Sequence, residues 1–327
     1  MLYVPILKWK AGEKEGLVQL KNNIKKNIIP LIELTPDVLE KCDTLKISNF
    51  WDHLFYFDVS YESSISDLEF VDFVETCDSD KIIPVISIND SFEKIQRLCL
   101  ITQKGLALRI SYNDALSSDF SNFLNELFKI IPASKIDLIL DVKEVTHDEL
   151  NQKIFLATNI LNTLIVPHRF KRVILASSSF PNSLKDCSSE QLTLLPRLEL
   201  AFFNSVVERC NIPIVFSDYT INHWSYFDFI PGMKPSFNIR YTTSNNYLVF
   251  KGLMVKKGGL DIENVRRGCQ AIVAHPAYSG AAYSWGDNEI SLKASSTSDK
   301  SGNLTTWRSI GVNHHITLTV NQFASLL

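Results

Sequence analysis

Short runs of almost continuous apolar residues alternate with longer amphipathic stretches, and this alternation restricts the fold more than any other feature of the sequence. The runs are rich in Ile, Val, Leu and Phe. They lie at residues 2–8, 27–33, 54–59, 81–88, 105–111, 136–142, 171–178 and 212–218. Strands that are covered on both faces, as in a parallel sheet, have this near-continuous hydrophobicity. We therefore predict eight buried parallel strands.

The stretches between the runs carry signals that start helices. Thr35 precedes Pro36, which is the pattern of an N-cap followed by proline at the first helical position. A capping box, in which two side chains satisfy free backbone N–H groups at a helix start, fits three further pairs. These pairs are Ser66 with Glu69, Thr146 with Glu149, and Ser188 with Gln191. Each pair predicts that a helix begins there.

Eight strand–helix units in series predict an α/β fold, a (β/α)8 TIM-like barrel. An open doubly wound sheet is the alternative. The glycine pattern disfavours that alternative, because no G-x-G-x-x-G follows an early strand and no G-x-x-x-x-G-K-[ST] occurs. A phosphate-binding glycine loop of the Rossmann or Walker type is therefore absent.

The character of the sequence changes after Asp218, since nine of the twelve glycines lie beyond residue 231. Residues 238–242 and 246–252 predict a β-hairpin that is inserted after the eighth strand. Residues 261–273 predict the eighth helix.

These boundaries divide the chain into two parts. Residues 1–274 form the barrel, including the hairpin insertion at 219–260. Residues 275–327 form a C-terminal extension with a final helix near 318–327. We expect the extension to pack on the barrel, because it has too few apolar residues for a core of its own.

Composition restricts the classes of partner. A formal net charge of -3 argues against a nucleic-acid coat or a polybasic membrane binder, and no basic recognition helix indicates sequence-specific DNA binding. The start, MLYVPILKWK, lacks the layout of a signal peptide, and no apolar run approaches the roughly 20 residues of a transmembrane helix. The six cysteines form no C-x-x-C pair. We infer a cytoplasmic protein with reduced thiols and no membrane partner; its oligomeric state is not predicted.

Most of the predicted strands end on a polar or charged residue. In a barrel, the last residue of each strand reaches the carboxyl-terminal face, where active sites of this fold lie. The strand-end residues are Lys8, Glu33, Asp58, Ser87, Arg109, Asp141, Ser177 and Asp218, with Lys10 and Tyr219 just beyond. We expect these side chains to form one ring that holds the site.

The acids of this ring have two interpretations. Converging carboxylates repel one another, so they need a divalent cation or interleaved basic groups. A magnesium ion on Glu33, Asp58 and Asp141, with Asp218 as a further catalytic carboxylate, would assist hydrolysis of a phosphate ester. Alternatively, Lys8 and Arg109 neutralise the acids in a salt-bridge network, or the acids are simply solvated.

The tail adds further candidates. His315 is a candidate general acid or base, because its pKa lies near neutrality. If the stretch 305–318 is extended, His314 and His315 point to opposite sides and only one can face a pocket. Arg240 and Arg308 could bind an anion. Trp307 could stack on a base.

Several motifs occur in an order that resembles a known family. They are VPILKWKAGEKEGLVQL and IIPLIEL near the start, SDY at 217–219, IRYT at 239–242, YSWGD at 283–287, and TTWR with NHHIT in the tail. Together they resemble the phage- and bacteria-encoded "beta protein" family. The resemblance implies no specific chemistry. It implies a phage-related protein with a role in anti-phage defence or another phage–host conflict.

Two functions from different classes follow. The first is an enzyme, a metal-assisted hydrolase that acts on a phosphate-bearing small molecule such as a nucleotide. The second is a non-catalytic module that recognises a protein partner or a signalling ligand. Incubation with nucleotides distinguishes the two functions, because only the enzyme would convert the nucleotide into a product.

Overall fold

The computed structural model describes residues 2–39, 47–59, 65–226, 235–297 and 299–325. Within them the strands are β1 Tyr3–Leu7, β2 Leu31–Leu34, β3 Phe55–Val59, β4 Ile82–Ile86, β5 Leu106–Ile110, β6 Ile136–Glu144, β7 Arg172–Ser178, β8 Leu192–Pro196, β9 Ile214–Asp218, β10 Ser236–Thr242 and β11 Asn246–Met254. The helices are α1 Ala11–Val18, α2 Asn22–Lys25, α3 Pro36–Leu39, α4 Asp67–Glu75, α5 Phe92–Ile101, α6 Tyr112–Ala115, α7 Phe120–Ile130, α8 Leu150–Asn159, α9 Leu198–Val207, α10 Ile262–Val273, α11 Trp285–Ala294 and α12 Leu304–Ala324.

Eight parallel strands close into a barrel in the order β1-β2-β3-β4-β5-β6-β7-β9. Each of the eight predicted apolar runs overlaps one of these strands, so the predicted TIM-like barrel is confirmed. The strands are apolar along their length because the barrel interior covers one face and the surrounding helices cover the other.

The barrel interior is filled by every second residue of each strand. Its apolar members include Val4 and Ile6 on β1, Leu31 on β2, Tyr56 on β3, Ala107 on β5, Ile139 on β6, Ala176 on β7, and Tyr219 after β9. Because side chains alternate between the two faces of a strand, a residue two positions after an inward residue also points inward. This register places Lys8, Glu33, Asp58, Arg109 and Asp141 at the end of the interior column, and it turns Ser177 and Asp218 outward.

Helix α12 covers β1 and, together with α9, β9. Its residues Val312, Ile316 and Phe323 share the hydrophobic core with Tyr3 and Phe216 of these strands. The rings of Phe323 and Phe216 lie 5.0 Å apart between centroids. The helix predicted at 261–273 does exist as α10, but its role as the eighth barrel helix was wrong, because α10 packs on a second sheet.

The second sheet is antiparallel, in the order β10-β11-β8. The predicted hairpin forms its β10–β11 pair. The third strand, β8, contradicts the helix predicted from Ser188 and Gln191: residues 192–196 pair with β11 instead, and α9 begins only at Leu198. A local capping signal of this kind is weak compared with the backbone pairing and burial that β11 offers.

The tail also differs from expectation. Residues 304–324 form one helix, capped where the Asn303 side chain accepts from the backbone N–H of Thr306. The extended stretch considered for 305–318 was wrong, and the final helix begins earlier than predicted. Gly311 permits the close packing of this helix, since a Cβ there would lie 2.9 Å from the carbonyl oxygen of Arg240. The division of the chain at residue 274 stays a prediction.

Two further findings concern the whole described chain. None of its helices is long and apolar enough to cross a membrane. The described cysteines, Cys77, Cys99, Cys187, Cys210 and Cys269, are free thiols. Cys42 lies outside the described residues.

We expect Gly105→Ala to lower the free energy of unfolding by at least about 2 kcal/mol. Gly105 precedes β5 with a φ of +88°, and a Cβ there would lie 2.0 Å from the carbonyl oxygen of Lys135. Urea unfolding measures the change. The control is Gly258→Ala, where a Cβ meets nothing within 4 Å. Equal stability of the two variants would contradict the tight approach of β5 to the start of β6.

Candidate functional site

Arg109 forms ion pairs with three carboxylates at the carboxyl ends of the barrel strands. We call this region the barrel mouth. Nη1 of Arg109 donates to Oε2 of Glu33 at 2.7 Å and to Oδ2 of Asp58 at 2.6 Å. Its Nε and Nη2 donate to Oδ2 of Asp141 at 3.1 and 2.7 Å. Nη2 also donates to the hydroxyl of Tyr219 at 2.8 Å, and that hydroxyl donates to Asp141 at 2.6 Å. These five residues are the Arg109 cluster.

Solvent reaches only part of the Arg109 cluster. The side chains of Asp58 and Arg109 are 16% and 15% exposed, whereas those of Glu33 and Asp141 are 7% and 4% exposed. A ligand in the barrel mouth would therefore meet Asp58 first. Glu33 and Asp141 lie deeper, below Asp58.

The environment of Asp58 tunes its carboxyl group. Burial raises its pKa, the charge of Arg109 opposes that effect, and repulsion by Glu33 adds to it, so that the pKa reaches about 6. Burial likewise raises the pKa of Tyr219 well above its ordinary value, which keeps its hydroxyl protonated as a donor to Asp141. Asp58 thus exchanges a proton near neutral pH, as a general acid or base must.

The three carboxylates do not fit a magnesium ion in this arrangement. The guanidinium of Arg109 occupies the space between them and binds an oxygen of each. Among the described residues, no group of three or more His, Cys, Asp or Glu side chains could hold a metal ion. Glu33, Asp58 and Asp141 are ion-paired with Arg109, as the salt-bridge interpretation of the sequence expects for Arg109, and the metal-ligand interpretation stays a prediction that this arrangement does not favour.

Lysines and aromatic residues border the barrel mouth. Trp224 packs against the interior cluster of the barrel. Nζ of Lys8 donates to the Trp224 carbonyl oxygen at 2.7 Å, and Nζ of Lys143 lies 4.8 Å from the centre of its ring. Lys10 lies over the ring of Tyr226 at 4.8 Å. These cations could neutralise an anionic ligand above the carboxylates.

The backbone is strained around the barrel mouth. Trp9, Lys143 and Thr220 have φ values of 55°, 59° and 56°, although none is glycine. They lie two residues after β1, within the last two residues of β6 and two residues after β9. Asp141 and Asp218 each accept the backbone N–H two residues later, at 3.0 and 2.9 Å, and so hold two of these turns. Strain of this kind concentrates at functional sites.

Asp218 does not join the Arg109 cluster, which corrects the sequence prediction. Because Tyr219 points inward, Asp218 points outward, where it accepts from the Tyr3 hydroxyl at 2.5 Å and contacts Nε2 of His315 at 2.9 Å. His315 also contacts the Thr242 hydroxyl at 2.9 Å. Burial opposes ionisation, yet His315 and other donors hold the pKa of Asp218 below its ordinary value. Both Asp218 and His315 are fully buried, so neither can meet a ligand.

The remaining candidates separate into two groups. Trp307 is buried, donates from Nε1 to the carbonyl oxygen of Ser301 and packs edge-on against Phe237, so it cannot stack on a base. Arg240 and Arg308 lie beside the segment that follows Tyr219.

Sequence reasoning missed two residues at the barrel mouth, Lys143 and Trp224. Lys143 lies one residue beyond the predicted end of its strand, at 142. Trp224 lies five residues after Tyr219, in the segment after the last barrel strand. The signal available was positional, because segments that follow the strands of such a barrel line its site.

The comparisons with known proteins agree with the sequence motifs. The family model described as Beta protein matches residues 3–321, nearly the whole chain. The matched range contains the Arg109 cluster, the second sheet and most of α12. No curated protein matches the chain.

We expect Arg109→Met to lower the free energy of unfolding by about 3–5 kcal/mol at pH 7, because it leaves two buried carboxylates and one partly buried carboxylate without their countercharge. Urea unfolding measures the loss. Arg97→Met is the control, since Arg97 pairs with Asp72 and Glu75 only at the surface and its loss should cost less than about 1 kcal/mol. Similar values for the two variants would contradict a central role for Arg109.

We expect the stability of the wild type, relative to Asp58→Asn, to fall by roughly 2 kcal/mol as pH rises from 4 to 7. The pKa of Asp58 in the folded protein is about 6, above its unfolded value, so the folded state binds this proton more tightly and loses stability when the proton leaves. Urea unfolding at several pH values measures the difference. In Asp52→Asn the difference should not fall with pH, because the hydrogen bond from Lys81 lowers the pKa of Asp52.

Proposed function

We propose that this chain, which belongs to the Beta protein family, is an enzyme that binds a small phosphate-bearing molecule, such as a nucleotide, at the barrel mouth and hydrolyses it. The observation that carries the proposal is the convergence of Glu33, Asp58 and Asp141 on Arg109, with Asp58 the most exposed of the three acids. This position is where barrels of this type hold their active sites.

Asp58 supplies the acid–base chemistry in this proposal. In its ionised form it accepts a proton from the attacking water, whose oxygen forms the new bond to phosphorus as the bond to the leaving oxygen breaks. Arg109 fixes the orientation of the Asp58 carboxylate through a hydrogen bond of 2.6 Å. Lys8, Lys10 and Lys143 counter the negative charge of the phosphoryl group. The magnesium ion predicted from the sequence has no part in this scheme.

A non-catalytic recognition module is the second candidate. One observation favours it: every carboxylate of the Arg109 cluster is already paired with Arg109, as in a purely structural network. In that case the barrel mouth binds a signalling ligand or a protein partner without changing it. For either candidate, the role in anti-phage defence and the phage-related origin rest on the family resemblance alone.

A nucleotide panel tests the proposal. The purified protein is incubated with nucleoside mono- and triphosphates, with added magnesium and with a chelator, and the products are separated by chromatography. We expect turnover by the wild type and a loss of about 100-fold or more in Asp58→Asn, the range of a lost general base. Asp72→Asn, which changes an exposed carboxylate, is the matched control and should retain turnover.

The possible results separate the candidates. Ligand that is bound but recovered intact supports the recognition module and contradicts the enzyme. Turnover that Asp58→Asn retains contradicts the role of Asp58. Turnover that requires magnesium contradicts the scheme in which side chains of the protein supply every cation.

A further inference from the structure

Two arginines meet beside the barrel mouth without an acidic partner. Arg240 on β10 donates from Nη1 to the carbonyl oxygen of Ile221 at 2.6 Å and from Nε to Oδ1 of Asn238 at 2.9 Å. Arg308 on α12 donates from Nη1 to Oδ1 of Asn222. Ile221 and Asn222 are neighbours in the chain, so the two guanidinium groups approach the same short segment.

The charges of this pair are not balanced by ion pairs. Within residues 2–39, 47–59, 65–226, 235–297 and 299–325, no carboxylate lies within 4.0 Å of a guanidinium nitrogen of Arg240 or Arg308. Glu13 is the nearby acid, but the Asn222 amide lies between it and Arg308, donating to Glu13 at 2.8 Å. Burial and then the repulsion of Arg308 hold the pKa of Arg240 well below its ordinary value. Both side chains are only partly exposed. Burial lowers the pKa of the Arg308 guanidinium and Glu13 raises it, so Glu13 offsets part of the Arg308 charge and an anion would offset the charge that remains.

Donor groups remain available on both side chains. In the described part of the chain, Nη2 of Arg240 and both Nε and Nη2 of Arg308 have no hydrogen-bond partner. The centre of the Phe180 ring lies 4.3 Å from the Arg240 guanidinium, whose Nε and Nη1 are held by hydrogen bonds. A planar fork that is held in place is well suited to the oxygens of a phosphoryl group.

A single turn connects the arginines to the Arg109 cluster. The backbone N–H of Asn222 donates to the carbonyl oxygen of Tyr219 at 3.0 Å, which closes a four-residue turn. In such a turn the first and last Cα atoms lie within about 7 Å. The side chain of Tyr219 reaches Asp141 at one end of the turn, and the side chain of Asn222 reaches Arg308 at the other.

We propose that Arg240 and Arg308 bind the phosphoryl group of the ligand through their free N–H groups. This inference rests on the proposed function for the identity of the ligand, and it names the groups that hold its anionic part. The assignment leaves the lysines of the barrel mouth to screen the remaining charge, and it leaves Asp58 free for proton transfer.

Inorganic phosphate is the probe that tests this site. Thermal unfolding and isothermal titration are carried out with phosphate and with chloride at equal ionic strength. We expect phosphate, but not chloride, to raise the Tm of the wild type, and each of Arg240→Gln and Arg308→Gln to weaken phosphate binding by at least about tenfold. Arg97→Gln is the matched control and should bind phosphate as the wild type does.

A purely structural role gives a different result. If Arg240 and Arg308 only support the fold, the glutamine variants lose the same Tm in phosphate as in chloride, and the proposal is overturned. Absence of a phosphate-specific shift in the wild type overturns it without any variant. If the glutamine variants do not fold, Arg308→Lys keeps the charge without the planar fork, and wild-type affinity in that variant contradicts the site.

Further measurements separate this inference from the proposed function. Adenosine monophosphate should compete with inorganic phosphate and adenosine should not, which distinguishes the phosphoryl group of a ligand from a site that holds only the free ion. Asp58→Asn should keep phosphate binding while it loses turnover. Turnover without phosphate binding refutes the arginine site alone, and phosphate binding without turnover refutes the hydrolase alone.

Discussion

The barrel mouth depends on the pairing of one guanidinium with three carboxylates. Arg109 on β5 reaches Glu33 on β2, Asp58 on β3 and Asp141 on β6, so four of the eight barrel strands end on one shared charge network. Without Arg109, the three carboxylates would repel one another in a site that is partly shielded from solvent. Side chains alternate between the two faces of each barrel strand, and every second residue points into the interior. The same alternation that fills the interior with apolar side chains also points these charged residues into the barrel mouth.

The charges near the barrel mouth are unevenly distributed. The Arg109 cluster contains more acidic than basic groups, whereas the neighbouring pair of Arg240 and Arg308 has no carboxylate within ion-pairing distance among the described residues. The turn from Tyr219 to Asn222 touches both regions. The proposed reaction matches this distribution, because Asp58 would accept a proton from the attacking water while the arginine pair would bind the phosphoryl group. Thr220, inside the same turn, has a φ of 56°.

The barrel could be predicted from the sequence because its signal is repeated eight times and each strand is covered on both faces. The acids at Glu33, Asp58 and Asp141 could be grouped for the same reason. Asp218 could not, since a strand-end position does not reveal the face, and only the inward Tyr219 next to it decides the question. The strand β8 was hidden because its partner β11 lies about 50 residues later in the chain, and local patterns carry no information about such pairing.

The sequence also did not predict the full length of α12. This helix has 21 residues, and it contributes side chains to two hydrophobic cores. Trp307 and Ile310, near its start, pack with the antiparallel sheet, whereas Val312, Ile316 and Phe323 pack on the barrel. Because α12 is one continuous helix, its displacement from one core would also expose the apolar side chains of the other core. We therefore expect the barrel and the antiparallel sheet to unfold in one cooperative transition. A break in α12 near Gly311 would allow them to unfold separately.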